Sequence, residues 1–196
     1  MADDAGMPAA NAASLQATAD AMSRVASASA VILVEGITDQ IALETAATFL
    51  SRDLAAERVV IVPIGGAHAI GRFVMMLPAG MRRVGLCDLQ EQELFRGELT
   101  DFQVCADDLE DELIRAAGTG AVTALFEAER DLRSFRSFQK QPAWRGQDLQ
   151  AQMHRFIRSS SRRNLRYARL LTETASGRGV LPRPLAAILE TVLETV

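Results

Sequence analysis

Seven carboxylates fall in three groups, each just beyond a short apolar run. Glu35 and Asp39 follow Ala30–Val34, Asp88 and Glu91 follow Arg83–Cys87, and Asp107, Asp108 and Glu110 follow Asp101–Cys105. Taken singly, each acid reads as a helix N-cap or first-turn residue, worth about 1 kcal/mol or less. Capping does not account for Glu35 standing between an apolar run and Gly36, or for Asp88 standing in the same way two runs later. Carboxylates gathered at one place repel one another unless a cation sits among them. Hard divalent ions such as Mg²⁺ take oxygen ligands of this kind, with water and phosphate oxygens filling the shell.

The elements that must position these acids follow from the apolar patterning. Ala30–Val34, Arg58–Val62, Arg83–Cys87 and Asp101–Cys105 are short and apolar on both faces, as buried parallel strands are. Helical spacing follows each, over about 38–52, 68–77, from 88 onward and 107–117. Alternating strands and helices predict an α/β fold, a parallel four-stranded sheet flanked by helices. Ligands of such sheets bind beyond the carboxyl ends of the strands, where the three acid groups lie. The second strand ends instead in Pro63-Ile64-Gly65-Gly66, a turn without an acid. Beyond residue 118 strand signals vanish, and helices are expected at about 121–138, 146–158, 161–175 and 184–195. The expected organisation is a mobile tail over 1–22, an α/β domain over 23–118 and a helical, Arg-rich C-terminal extension over 119–196.

Composition narrows the function classes. The 196 residues are 48% hydrophobic and 23% charged, the balance of a chain able to bury a core. No apolar run approaches the roughly 18 residues of a membrane span, and no basic-then-apolar leader opens the chain, so a cytoplasmic protein without membrane contact is expected. Cys87 and Cys105 lack metal-ligand spacing and read as buried thiols. The net charge of −4 divides unevenly: residues 130–183 carry +10 and the remainder −14. Six arginines fall within residues 155–169, interleaved with Phe156 and Tyr167, a pattern suited to tracking phosphates. A solvated helical face paired with the acidic half is the alternative. His68 reads as a capping or surface residue, His154 as a helix-surface residue and Trp144 as a packing anchor.

Three segments together resemble the topoisomerase–primase (TOPRIM) domain, and most closely the TOPRIM half of the overcoming-lysogenization-defect (OLD) endonucleases. Val31-Ile-Leu-Val-Glu35-Gly36-Ile-Thr-Asp39 is similar to its first motif, Val62-Pro-Ile-Gly65-Gly66 to its second turn, and Val84-Gly-Leu-Cys-Asp88 to the strand leading into Asp-x-Asp. Asp108-Leu-Glu110-Asp-Glu-Leu adds to the likeness, which covers about 30–118. The resemblance implies a Mg²⁺- or Mn²⁺-dependent nuclease acting on nucleic acid, DNA in preference to RNA. Glu35, Asp39 and Asp88 would be catalytic, and Glu35, Asp39, Asp88, Glu91 and Glu110 would supply the metal ligands. Gly65, Gly66, Arg158, Arg162, Arg163 and Arg166 would contact the strand. The OLD family also implies a basic residue downstream of the acids, for which Lys140, the one lysine, is the candidate, with the arginines of 162–166 as the alternative.

Two departures qualify the likeness. Gln90 stands where the second acid of Asp-x-Asp is expected, with Glu91 as its substitute. No Gly-x-x-x-x-Gly-Lys-Ser/Thr occurs, so any ATPase would be a separate partner. A catalytically inactive TOPRIM that binds or regulates is the rival reading, favoured by Gln90. A primase-type transferase lacks its zinc ribbon here, and a receiver domain with Asp88 as phosphoacceptor lacks its lysine.

Overall fold

The computed structural model describes residues 6–193, with side chains described from residue 12. Strands β1 (Ala30–Val34), β2 (Val59–Pro63), β3 (Arg82–Asp88) and β4 (Phe102–Cys105) form one parallel sheet in the order β2-β1-β3-β4. The helices are α1 (Gly6–Arg24), α2 (Ile37–Phe49), α3 (Ile70–Met76), α4 (Gln92–Glu98), α5 (Leu109–Ala117), α6 (Thr119–Ala128), α7 (Leu132–Gln139), α8 (Leu149–Arg158), α9 (Ser161–Gly177) and α10 (Arg183–Thr191). The expected α/β architecture with a four-stranded parallel sheet is what the chain forms.

Alternation along β1 divides the core in two. Ala30, Ile32 and Val34 face one apolar cluster, and Val31 and Leu33 face the other. The second cluster is closed by residues of α1, α3 and α4, among them Ala21, Phe73 and Phe95. The first is larger and runs without a break from the sheet through Leu43 of α2 and Leu113 of α5 to Phe126, Met153, Tyr167, Leu171 and Ile188. The C-terminal helices therefore share one core with the sheet. At its centre, Phe126 packs against Phe135, Phe156 and Tyr167 with ring centroids 4.8–5.3 Å apart.

Three stretches differ from the sequence-based expectation. Of the tail expected to be mobile, residues 1–5 lie outside the described residues, whereas 6–22 belong to α1. That helix is tied to the sheet by Thr18 Oγ1 donating to Pro63 O at 2.6 Å and by the buried Ala21. The helix expected over 121–138 is two, because Arg130 takes a left-handed φ of 61° and Asp131 N–H bonds back to Phe126 O. The helix expected to begin at Asp88 opens as a 3-10 turn over Leu89–Glu91 before α4.

Candidate metal centre

Strand register brings the first acids together. Val34 pairs with Pro63 on one side and Leu86 on the other, so Glu35 and Asp88 emerge side by side at the carboxyl edge of the two central strands. Main-chain hydrogen bonds then fix Glu35. Its carbonyl accepts from Gly65 N–H at 3.0 Å and Gly66 N–H at 2.9 Å, and its Oε1 accepts from Asp88 N–H at 3.0 Å. Gly66 makes that loop at φ 113°, a left-handed conformation that a side chain would strain. The two glycines expected at nucleic acid thus have their N–H groups engaged on Glu35. Asp39, in the first turn of α2, accepts Gly36 N–H at 2.8 Å, which aims it back at the strand end.

Glu35, Asp88 and Glu91 each offer an oxygen within 4.8 Å of the other two, and all three are half-buried. Asp39 and Glu110 lie close enough to this group for their charges to be felt. Among the described residues none of Glu35, Asp39, Asp88, Glu91 or Glu110 has an ion-pair partner. The electrostatic consequence is uniform. Burial first, then Glu35, Asp108, Glu110 and Glu91, push the Asp88 carboxyl up to about 8. Burial and then Glu110 hold Asp39 well above the usual carboxylate range, against the opposing Gly36 hydrogen bond. Burial also raises Glu35, partly offset by Asp88 N–H and reinforced by Glu91 and Glu110. Clustered oxygen donors without an ion-pair partner suit a hard divalent cation.

The acids form one wall of a cleft of about 560 Å³ whose other walls come from α5 and α8. Asp108, the N-cap of α5, accepts Asp111 N–H at 2.9 Å and lies against His154 Nε2 at 2.7 Å and the Arg158 guanidinium. Burial alone would raise Asp108, but the His154 and Asp111 hydrogen bonds and the Arg158 charge hold it below the ordinary carboxylate range. His154 is raised in turn, chiefly by the Asp108 hydrogen bond and against its own burial. Gln150 Nε2 donates to Asp111 Oδ1 at 2.6 Å, and Gln90 also lines the cleft. Glu110 is buried beneath, accepting from Asn164 Nδ2 at 2.8 Å.

The other expected site residues fall elsewhere. Lys140 is exposed at the end of α7 and does not line the cleft. Arg163 lies over the Phe156 ring at 3.9 Å and donates to Phe156 O at 2.8 Å, with Asp131 3.7 Å away. Arg166 pairs with Asp131 and with Glu129 at 3.1 Å. Arg162 lines a separate groove between α2 and α9. Of the expected basic residues only Arg158 borders the acids. His154, read from the sequence as a surface residue, instead packs against Asp108 in the cleft wall. Its partner is 46 residues away, and no local spacing signals the contact.

The internal pairing of Arg166 has a measurable consequence. Arg166→Glu is expected to destabilise the protein by about 1–2 kcal/mol, since it faces Asp131 and Glu129 with a like charge and removes a charged hydrogen bond. Urea unfolding checks this, and an unchanged midpoint would show the pair to be energetically idle.

Residues 28–87 match the family described as "Overcoming lysogenization defect protein-like, TOPRIM domain". The chain is similar in fold to the C-terminal region of the Burkholderia pseudomallei OLD protein, with 16% identity and a TM-score of 0.58 over 84% of this chain and 96% of that one. It is likewise similar to the C-terminal region of the Xanthomonas campestris pv. campestris OLD protein, with 19% identity and a TM-score of 0.59 over 85% and 94%. A search of curated proteins returns no match. The likeness to the TOPRIM half of OLD proteins, drawn from three short motifs, is thereby borne out, and among the described residues no helix is long and apolar enough to cross a membrane.

Proposed function

We propose that this OLD-like TOPRIM domain is the catalytic part of a divalent-metal-dependent nuclease that hydrolyses phosphodiester bonds, with DNA as the preferred substrate. The observation that carries the reading is the convergence of Glu35, Asp88 and Glu91 at the sheet edge, none of them ion-paired to a side chain among the described residues, in a cleft whose opposite wall carries His154 and Arg158. Glu35, Asp88 and Glu91 would hold Mg²⁺ or Mn²⁺, and Asp39, oriented by Gly36 N–H behind them, would add its charge to the same group. A bound metal would supply an activated water and neutralise charge that develops on the phosphate oxygens. The chain's own part is geometric. Main-chain bonds hold Glu35 still, Asn164 keeps Glu110 beneath the site, and Arg158 offers exposed guanidinium donors to a phosphate at the cleft mouth.

A second reading, an inactive module that binds nucleic acid, rests on Gln90, which lines the cleft where a further acid would strengthen the metal site. Incubating the purified protein with plasmid and single-stranded oligonucleotides in Mg²⁺, Mn²⁺ or EDTA separates the two. Cleavage with metal and none with EDTA is the expected result, and binding without cleavage in every metal would establish the second reading. A separate ATPase chain is a proposed partner, and adding ATP alone is expected to change nothing.

A further inference from the structure

Three features of the cleft wall opposite the acids remain without a role in metal holding. Asp108 points both carboxylate oxygens at His154 Nε2, at 2.7 and 2.9 Å. That arrangement makes Nε2–H the donor to the carboxylate and leaves Nδ1 without a protein partner among the described residues. His154 is partly exposed and lines the same cleft as Glu35, Asp88 and Glu91. A carboxylate fixing one imidazole nitrogen while the other serves the reaction is a recurrent device for proton transfer.

We propose that the Asp108–His154 dyad is the proton donor to the leaving oxygen of the phosphodiester, with Asp108 as its positioning residue. The inference rests on the nuclease reading. Water attacks phosphorus from the side of Glu35, Asp88 and Glu91, its oxygen forming the new P–O bond and its proton passing to solvent. The bond from phosphorus to the departing sugar oxygen breaks, that oxygen takes the Nδ1 proton of His154, and the neutral imidazole is reprotonated from solvent. The groups facing the ring are Asp108 and Glu110 from α5 and Arg158 from its own helix, with Asp107, Asp111 and Asp148 elsewhere on the cleft wall. The two nearest acids favour the imidazolium that can donate. The apolar packing of Met153, Phe156 and Ile157 holds α8 against the core and so fixes the distance from His154 to the acids.

The experiment compares two oligonucleotides in Mn²⁺, one with ordinary linkages and one with a sulfur atom replacing the bridging oxygen at the cleaved position. A thiolate departs without a proton because thiols ionise near about pH 8.5. His154→Asn is expected to slow the oxygen substrate about a hundred- to a thousandfold and to leave the sulfur substrate within a few-fold of wild type. Asp108→Asn should show the same selective rescue, and the double variant should be no slower than His154→Asn alone. An unchanged Mn²⁺-induced rise in melting temperature shows that the variants fold and bind metal, and His154→Gln is the second variant should His154→Asn not fold. Equal slowing of both substrates, or no slowing of either, overturns the proton donor. No cleavage by the wild type in any metal overturns the nuclease reading itself, and the donor with it.

Discussion

Glu35→Gln is expected to reduce metal-dependent cleavage by at least about a thousandfold, while the protein keeps its fold. The glutamine Oε1 can still accept Asp88 N–H, and the carbonyl of residue 35 still receives Gly65 and Gly66, so the strand ends stay joined. What disappears is one of three anionic oxygens that lie within 4.8 Å of one another. Loss of about 4 kcal/mol of charge stabilisation at a metal-assisted step corresponds to that thousandfold drop. Single-turnover cleavage and thermal unfolding on the same preparation check both halves of the expectation. Full activity in the variant would remove Glu35 from the mechanism and leave the observed activity to a contaminant.

Lowering the pH from 8 to 6 is expected to weaken Mn²⁺ binding by up to about a hundredfold for each proton the ion displaces. Asp88 holds its proton up to about pH 8 in the metal-free protein, and Asp39 is also raised well above its ordinary value, so a cation must expel at least one proton on entering. Stability without metal moves the other way. A carboxyl whose pKa is higher in the folded than in the unfolded chain makes the folded state the better proton binder between about pH 4 and 8, so stability falls as the pH rises through that window. Titration calorimetry at the two pH values measures the first effect, and unfolding in EDTA across the same range the second. Asp88→Asn should flatten the second profile and weaken metal binding at pH 8. A pH-independent affinity would place the ion elsewhere.

The parts of the molecule legible in the sequence are those governed by local pattern. Ala30–Val34 reads as a strand because five apolar residues precede a glycine-containing turn, and Glu35 and Asp88 read as site residues because they stand where such strands end. The missed features depend on contacts between distant segments. The break between α6 and α7 has no glycine or proline to announce it; it is made by Arg130 in a left-handed conformation, closed by Asp131. Asp131 then gathers Arg163, Arg166 and the Tyr167 hydroxyl, 3.1 Å away, so the basic stretch that looks available along the chain is partly neutralised in space. His154 presents the converse: an unremarkable helical position that packing of α8 on α5 turns toward a carboxylate. The buried Cys87 and Cys105 matched expectation because an apolar strand leaves a small side chain few alternatives.

The hold on Glu35 is made of peptide groups alone: two N–H donors from the loop after β2 and one from the end of β3. Any amino acid supplies a peptide N–H where the backbone conformation permits it, so the anchorage of this acid is indifferent to most of the side chains around it. The neighbourhood is therefore free to vary in identity while the acid stays where it is. Gln90 can stand in place of a carboxylate one strand away without loosening Glu35. A scaffold of this kind separates the question of where the charge sits from the question of what surrounds it. Substitutions at the cleft wall can then retune substrate and metal preference one residue at a time, without first having to rebuild the site.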